Sequence, residues 1–154
     1  ETFIIPEAKI HDNTKLITGT NGEKMSKSKS NIIDIFVDDK TLRKQIMKIE
    51  TRSLSVEDPK IPEECNVFRL YEVVASKNEV ELLKKQYLKG GIGYGEAKEL
   101  LLNKILNRFS ENREKYFKLI EDSSKVEDLL SEGSKKARVQ AQKVLKRVRS
   151  RVGF

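Results

Sequence analysis

EAKELLLNKILNRFSENREKYFKLIED, residues 96–122, contains neither glycine nor proline. Ala97, Leu101, Ile105, Phe109, Tyr116, Phe117 and Ile120 recur along it at three-, four- and seven-residue steps, which place them on one face at helical pitch. The spacing predicts one helix of about 40 Å, or two joined by a kink. Downstream, Ser123 or Ser124 can cap a further helix, with Glu127 placed for a capping box to Ser124. Its stripe is Val126, Leu130, Ala137, Ala141, Val144, Leu145 and Val148, only mildly interrupted by Gly133.

Working upstream, Gly90-Gly91 closes a helix striped by Val80, Leu83 and Tyr87, since glycine readily takes the left-handed conformation of a C-terminal cap. Val67, Leu70, Tyr71 and Val74 mark another. Before it, Asp58-Pro59 and Ile61-Pro62 require an extended, rigid connection, because the residue preceding proline is disfavoured in the α region. Leu42, Ile46 and Ile49 define a helix from Asp39, with its exit at Thr51-Arg52-Ser53. The chain therefore reads as mainly α, a helical bundle on short connections. The first thirty residues differ: Thr2-Phe3-Ile4-Ile5 reads as a short strand stopped by Pro6, and Gly19 to Gly22 as a turn.

At 154 residues the chain has room for one domain with a core, or one domain and part of another. No apolar stretch approaches the ~20 residues of a membrane span, and the start lacks a signal-peptide pattern, so a cytoplasmic protein without a membrane partner is expected. Cys65 is the only cysteine and His11 the only histidine, which excludes an internal disulfide and leaves a zinc site short of ligands. Cys65 is expected to pack as a small apolar side chain, His11 to lie in a loop, and Tyr71, Tyr87 and Tyr116 to belong to the core.

The net charge of +7 is unevenly placed. No carboxylate side chain follows Glu132, whereas Lys135, Lys136, Arg138, Lys143, Lys146, Arg147, Arg149 and Arg151 do; removing these eight from 31 basic residues leaves 23 against 24 acidic. All the excess sits on the last helix, with cations on both flanks of its stripe. A cationic run is most often a solvated face, but one devoid of carboxylates suits the phosphates of a nucleic acid.

One segment carries chemistry. Lys24-Met25-Ser26-Lys27-Ser28 follows the Gly19-Thr20-Asn21-Gly22 turn. Two ammonium groups three positions apart, with hydroxyls on either side of the second, suit a polyphosphate, and Met25 can anchor the loop in an apolar socket. Charge developing on a phosphate leaving group is what such a segment stabilises, provided a partner site holds the nucleotide. Lys29-Ser30 merely extends the run, and an ordinary lysine/serine loop is the bland alternative.

Lys24 to Ser28 resembles the KMSKS signature of class I aminoacyl-tRNA synthetases, and the glycine-rich turn and Asn31 fit it too. Residues 58–68 (DPKIPEECNVF), 87–98 (YLKGGIGYGEAK) and 132–138 (EGSKKAR) are similar to segments of bacterial tryptophanyl-tRNA synthetases, in order and over nearly the whole chain. The resemblance implies an enzyme that joins tryptophan to ATP, with Mg2+, and passes it to its tRNA. It assigns catalysis to Lys24 and Lys27, and ATP contact to Lys24, Met25, Ser26, Lys27 and Ser28. Residues 1–31 would be the edge of a Rossmann-like catalytic domain carrying this loop, and 32–154 the helical, anticodon-binding domain. Candidate tRNA contacts are Asp58, Lys60, Asn66 and Tyr94 in the loops, and Lys135, Arg138, Lys146 and Arg149 on the last helix.

The HIGH-type signature of the class is missing, since Asp12-Asn13-Thr14 follow His11. With a chain opening at Glu1, this suggests an upstream part elsewhere, and a fragment inactive alone and monomeric, from a homodimeric parent. The rivals are a free-standing, synthetase-derived RNA-binding module without catalysis, and a helical adaptor with no nucleic-acid role.

Overall fold

The computed structural model describes residues 3–9 and 16–153; the readings made of Thr2 and His11 lie outside the described residues. Six α-helices follow one another among the described residues: α1 (Asp39–Met47), α2 (Asn66–Val74), α3 (Lys77–Lys89), α4 (Tyr94–Arg108), α5 (Ser110–Glu121) and α6 (Ser123–Val152). Among the described residues the β structure is a single antiparallel bridge, Thr18 to Lys24. The mainly α reading holds.

The chain divides into two compact units, residues 10–113 and residues 1–9 with 114–154. The first of these takes in both the lysine-rich loop and helices α1 to α4, so the boundary at 31/32 is not where the packing divides.

Within residues 10–113, α2 and α1 both pack on α4. The core is built from the stripes already named: Leu42, Ile46 and Ile49; Val67, Leu70, Tyr71 and Val74; Leu83 and Tyr87; Ala97, Leu101 and Ile105. Phe68 and Leu102 join them. Cys65 is buried, its Sγ 3.5 Å from the Tyr87 hydroxyl. Burial pushes the Tyr87 phenol well above its ordinary pKa, as its apolar surroundings require. The Lys98 ammonium donates to the Met47 carbonyl at 3.0 Å, closing the end of α1 against α4.

The expected connections form. Gly90 ends α3 with φ of 82°, and Gly91 follows at 92°. The Gly91 amide donates to Val56 O, while a Cβ on Gly90 would lie 2.2 Å from Glu57 O, so the 51–61 loop crosses directly over the glycine pair. Pro62 opens a short 3-10 turn, Pro62–Glu64, leading into α2.

At the start of α3 the Glu79 carboxylate accepts from Lys104 Nζ at 2.6 Å and from the Ser76 hydroxyl and amide at 2.6 and 2.9 Å. These donors, Lys104 first, lower its pKa from 4.5 to about 2. A carboxylate depressed in the fold contributes stability that is complete above its unfolded pKa and lost as pH falls through the folded one. The stability difference between the protein and its Glu79→Gln variant, followed by chemical denaturation, should therefore be constant at neutrality and vanish between pH 4.5 and about 2. Exposure keeps the effect small. A difference that persists to the acid limit would mean that the carboxylate charge contributes nothing.

In the other unit several expectations fail. Phe3, Ile4 and Ile5 form no strand, and both isoleucines are exposed. A strand needs a neighbour to take its backbone hydrogen bonds, and no described residue supplies one. The long helical run is the second of the two expected forms, two helices meeting at Phe109, but beyond Arg113 its stripe is not buried: Tyr116, Phe117 and Ile120 are exposed, Tyr116 lying edge-on to Phe117 at 5.6 Å. Helix α6 runs straight through Gly133, as expected, but buries none of its residues. Its start is fixed by Asp122, which accepts from the Ser124 hydroxyl at 2.6 Å and pairs with Lys125. The helix already begins at Ser123, so Ser124 lies inside the first turn and is not the cap of a box with Glu127.

Candidate functional site

The lysine-rich segment is the second arm of a small hairpin. The Met25 amide donates to Ile17 O at 3.0 Å, Gly19 N–H to Glu23 O at 2.7 Å, and Gly22, with φ of 76°, turns the chain between them. Ser26 is extended, Lys27–Lys29 make one 3-10 turn, and Ser30 closes it in the left-handed region at φ 52°. Met25 packs against the core, the socket expected for it.

Two carboxamides hold this loop. Asn31 is 2% exposed. Its Oδ1 accepts from the Ser26 amide at 2.8 Å, its Nδ2 donates to Asn21 Oδ1 at 2.7 Å and to Lys24 O at 3.2 Å, and its own carbonyl accepts from the Thr20 amide at 2.9 Å. Asn66, the first residue of α2, donates to Gly19 O at 2.7 Å and accepts from the Thr18 hydroxyl at 2.5 Å. The approach is so close that a Cβ on Gly19 would sit 2.3 Å from Asn31 O, so glycine is required there for space. From the end of α1, the Glu50 amide donates to Thr20 O at 2.8 Å.

The three lysines of the loop are not equivalent. Lys29 pairs with Glu23 at 2.7 Å, and that cation draws the Glu23 carboxyl below its usual range. Lys24 and Lys27 are exposed and have no carboxylate partner among the described residues. Beside Lys27, the Ser26 and Ser28 hydroxyls lie 2.9 Å apart. The loop thus presents two unneutralised ammonium groups and a pair of hydroxyls, an arrangement suited to anionic oxygens. Among the described residues no group of three His, Cys, Asp or Glu side chains is placed to hold a metal ion.

The candidate tRNA contacts separate into three groups. Lys60 and Asn66 are buried. The Lys60 ammonium donates to the Ser55, Val56 and Asp58 carbonyls at 2.9, 3.3 and 2.9 Å, and lies 5.5 Å from the centre of the Tyr94 ring. Both side chains therefore hold the protein's own backbone. Asp58 is exposed but accepts from the Ser55 amide at 2.9 Å, which helps hold its carboxyl below the usual range. Tyr94 is half-buried, edge-on to Tyr87, and lines an open cleft of about 540 Å³ with Asn21, Arg52 and Arg69. Lys135, Arg138, Lys146 and Arg149 are exposed on α6, within an arc of about 80° at 100° per residue. The sequence reading missed the fastening role of Thr18, Gly19 and Asn66.

A helical unit carrying this loop matches a family model. Residues 1–110 fit the model described as "tRNA synthetases class I (W and Y)", and the chain belongs to that family. Within it, the similarity is to the tryptophan enzymes. The chain is 42% identical to the tryptophan–tRNA ligase of Campylobacter jejuni (strain RM1221), covering 100% of this chain and 48% of that protein. It is also 42% identical to the tryptophan–tRNA ligase of Rhodopirellula baltica, again over 100% of this chain and 48% of the other. The crystal structure of Campylobacter jejuni tryptophanyl-tRNA synthetase complexed with ADP and tryptophan superposes with a TM-score of 0.85 at 40% identity, over 99% of this chain and 48% of that one. The chain spans about half the length of these relatives.

Proposed function

We propose that this chain works as part of a tryptophan–tRNA ligase, in which its lysine-rich loop assists activation of tryptophan by ATP and its helices bind the tRNA. In activation, a carboxylate oxygen of tryptophan bonds to the α-phosphorus while the bridge from that phosphorus to the β-phosphate breaks. Pyrophosphate leaves with the electron pair, and negative charge grows on its oxygens. The observation that carries the reading is the unneutralised state of Lys24 and Lys27 on a loop otherwise fixed by internal hydrogen bonds. Donors placed in advance where charge develops stabilise the transition state more than the ground state. Met25 seats the loop, and Ser26 and Ser28 supply short donors beside Lys27.

Transfer to tRNA assigns the helices a second task. The exposed cations of α6 face the RNA backbone, and the loop bearing Asp58, with Tyr94, faces the anticodon region, where bases are read by stacking and edge hydrogen bonds. Lys60 and Asn66 serve from within, by shaping those loops. The chain alone is a monomer without activation activity, the parent a cytoplasmic homodimer. No helix among the described residues is long and apolar enough to cross a membrane. The test is amino-acid-dependent exchange of pyrophosphate into ATP by the complete gene product, with each of the twenty amino acids. Tryptophan alone should support it; exchange driven by tyrosine or another amino acid would reject the assignment.

A further inference from the structure

We propose that Asn31 and Asn66 are positioning residues that act as a two-point clamp on the lysine loop, Asn31 setting the spacing of the two free ammonium groups and Asn66 tying the hairpin to α2. The proposal rests on the reading of Lys24 and Lys27 as phosphate-facing groups.

The two points do different things. The Asn31 carboxamide binds the chain on both sides of Met25: it takes the amide of Ser26 and gives to the carbonyl of Lys24. One buried group thereby fixes the backbone from which both Lys24 and Lys27 project. Asn31 also donates to Asn21 and accepts from Thr20, so the turn and the lysine arm share one fastener. Asn66 grips the other arm, through Gly19 O and the Thr18 hydroxyl, and it begins the most buried helix of this unit. A displacement of α2 therefore carries Gly19 with it. Gly19 lies against Asn31 without room for a methyl group, so the displacement reaches the lysine arm. Both carboxamides are buried and each of their side-chain oxygen and nitrogen atoms has a partner in the hairpin, which assigns both to the loop's geometry.

The test uses this chain, inorganic pyrophosphate as the probe, and two readouts: side-chain NMR signals of Lys24 and Lys27, and amide hydrogen exchange. In the unaltered chain both lysines should shift together on titration. Asn31→Ala and Asn66→Ala should each speed exchange at Gly19, Met25 and Ser26 and weaken pyrophosphate binding about tenfold, the order expected for one or two lost hydrogen bonds. Exchange at Leu101 and Ile105 in α4 should stay unchanged. If an alanine variant loses its core protection, Gly19→Ala replaces it, since it disturbs Asn31 without removing a core group. Faster loop exchange with undiminished pyrophosphate affinity would overturn the clamp while leaving the phosphate reading intact. If the unaltered chain does not respond to pyrophosphate, the phosphate reading fails first, and exchange alone decides the clamp. In that case unchanged rates at Ser26 and Gly19 reject it, and accelerated rates sustain it as a fastening of the loop.

Discussion

Alanine in place of Lys27 should slow tryptophan-dependent pyrophosphate exchange by the complete gene product by about two to three orders of magnitude, the usual loss when one well-placed donor to a developing charge is removed. Binding of tRNA should be nearly unaffected. Lys24→Ala should cost less, because the paired Ser26 and Ser28 hydroxyls stand on either side of Lys27 and not of Lys24. Lys29→Ala is the informative control. Its ammonium lies two residues from Lys27 and carries the same charge, but Glu23 already neutralises it at 2.7 Å. If local positive charge were what mattered, Lys29→Ala would hurt exchange as much as Lys27→Ala. If position and freedom from a partner matter, it leaves exchange close to normal. Exchange unchanged in Lys27→Ala removes the loop from the mechanism altogether.

The core helices were legible in the sequence because their period, their punctuation and their burial agree. Leu42 and Ile46, Val67 to Val74, Leu83 and Tyr87, and Ala97 to Ile105 repeat at helical pitch and are buried, with Pro62 before the second of these stripes and Gly90 after the third. Periodicity stopped being informative beyond Arg113. An apolar stripe states that a face can be buried, not that a neighbour exists to bury it. Tyr116 keeps the spacing of Ile105 and Phe109 yet is exposed, and the stripe of α6 is exposed throughout. The Phe3 to Ile5 strand failed for the related reason that a strand is a property of a pair.

At the site, the legible part was the chemistry of the exposed lysines. The illegible part was their support, since a carboxamide's partners lie far off in sequence: Asn66 meets Gly19 and Thr18 across nearly fifty residues. Asn66 and Lys60 stand in polar loop sequence and read as ligand contacts. Each instead satisfies backbone carbonyls that those loops would otherwise leave unpaired inside the protein. A single sequence does hold one hint, because a glycine before a turn, with an asparagine just after the motif, is what a close approach needs.

The basic face of α6 yields the other large effect. If Lys135, Arg138, Lys146 and Arg149 each neutralise one phosphate, the logarithm of tRNA affinity should fall with the logarithm of salt at a slope of about −3 to −4. Between about 50 and 200 mM salt this is roughly a hundredfold loss, whatever the RNA sequence. Replacing all four by alanine should flatten the slope by about that amount, and replacing one should lower it by about one. The helix has a second candidate surface, its exposed apolar stripe, and the measurement separates the two. Contact through Ala141, Val144 and Val148 would be nearly insensitive to salt and would carry a negative heat-capacity change instead. A flat salt response in the unaltered protein would therefore make the cations a solvated flank and shift attention to the stripe beside them. A steep one that the fourfold variant abolishes assigns the RNA to the arc of about 80° on which those four side chains stand.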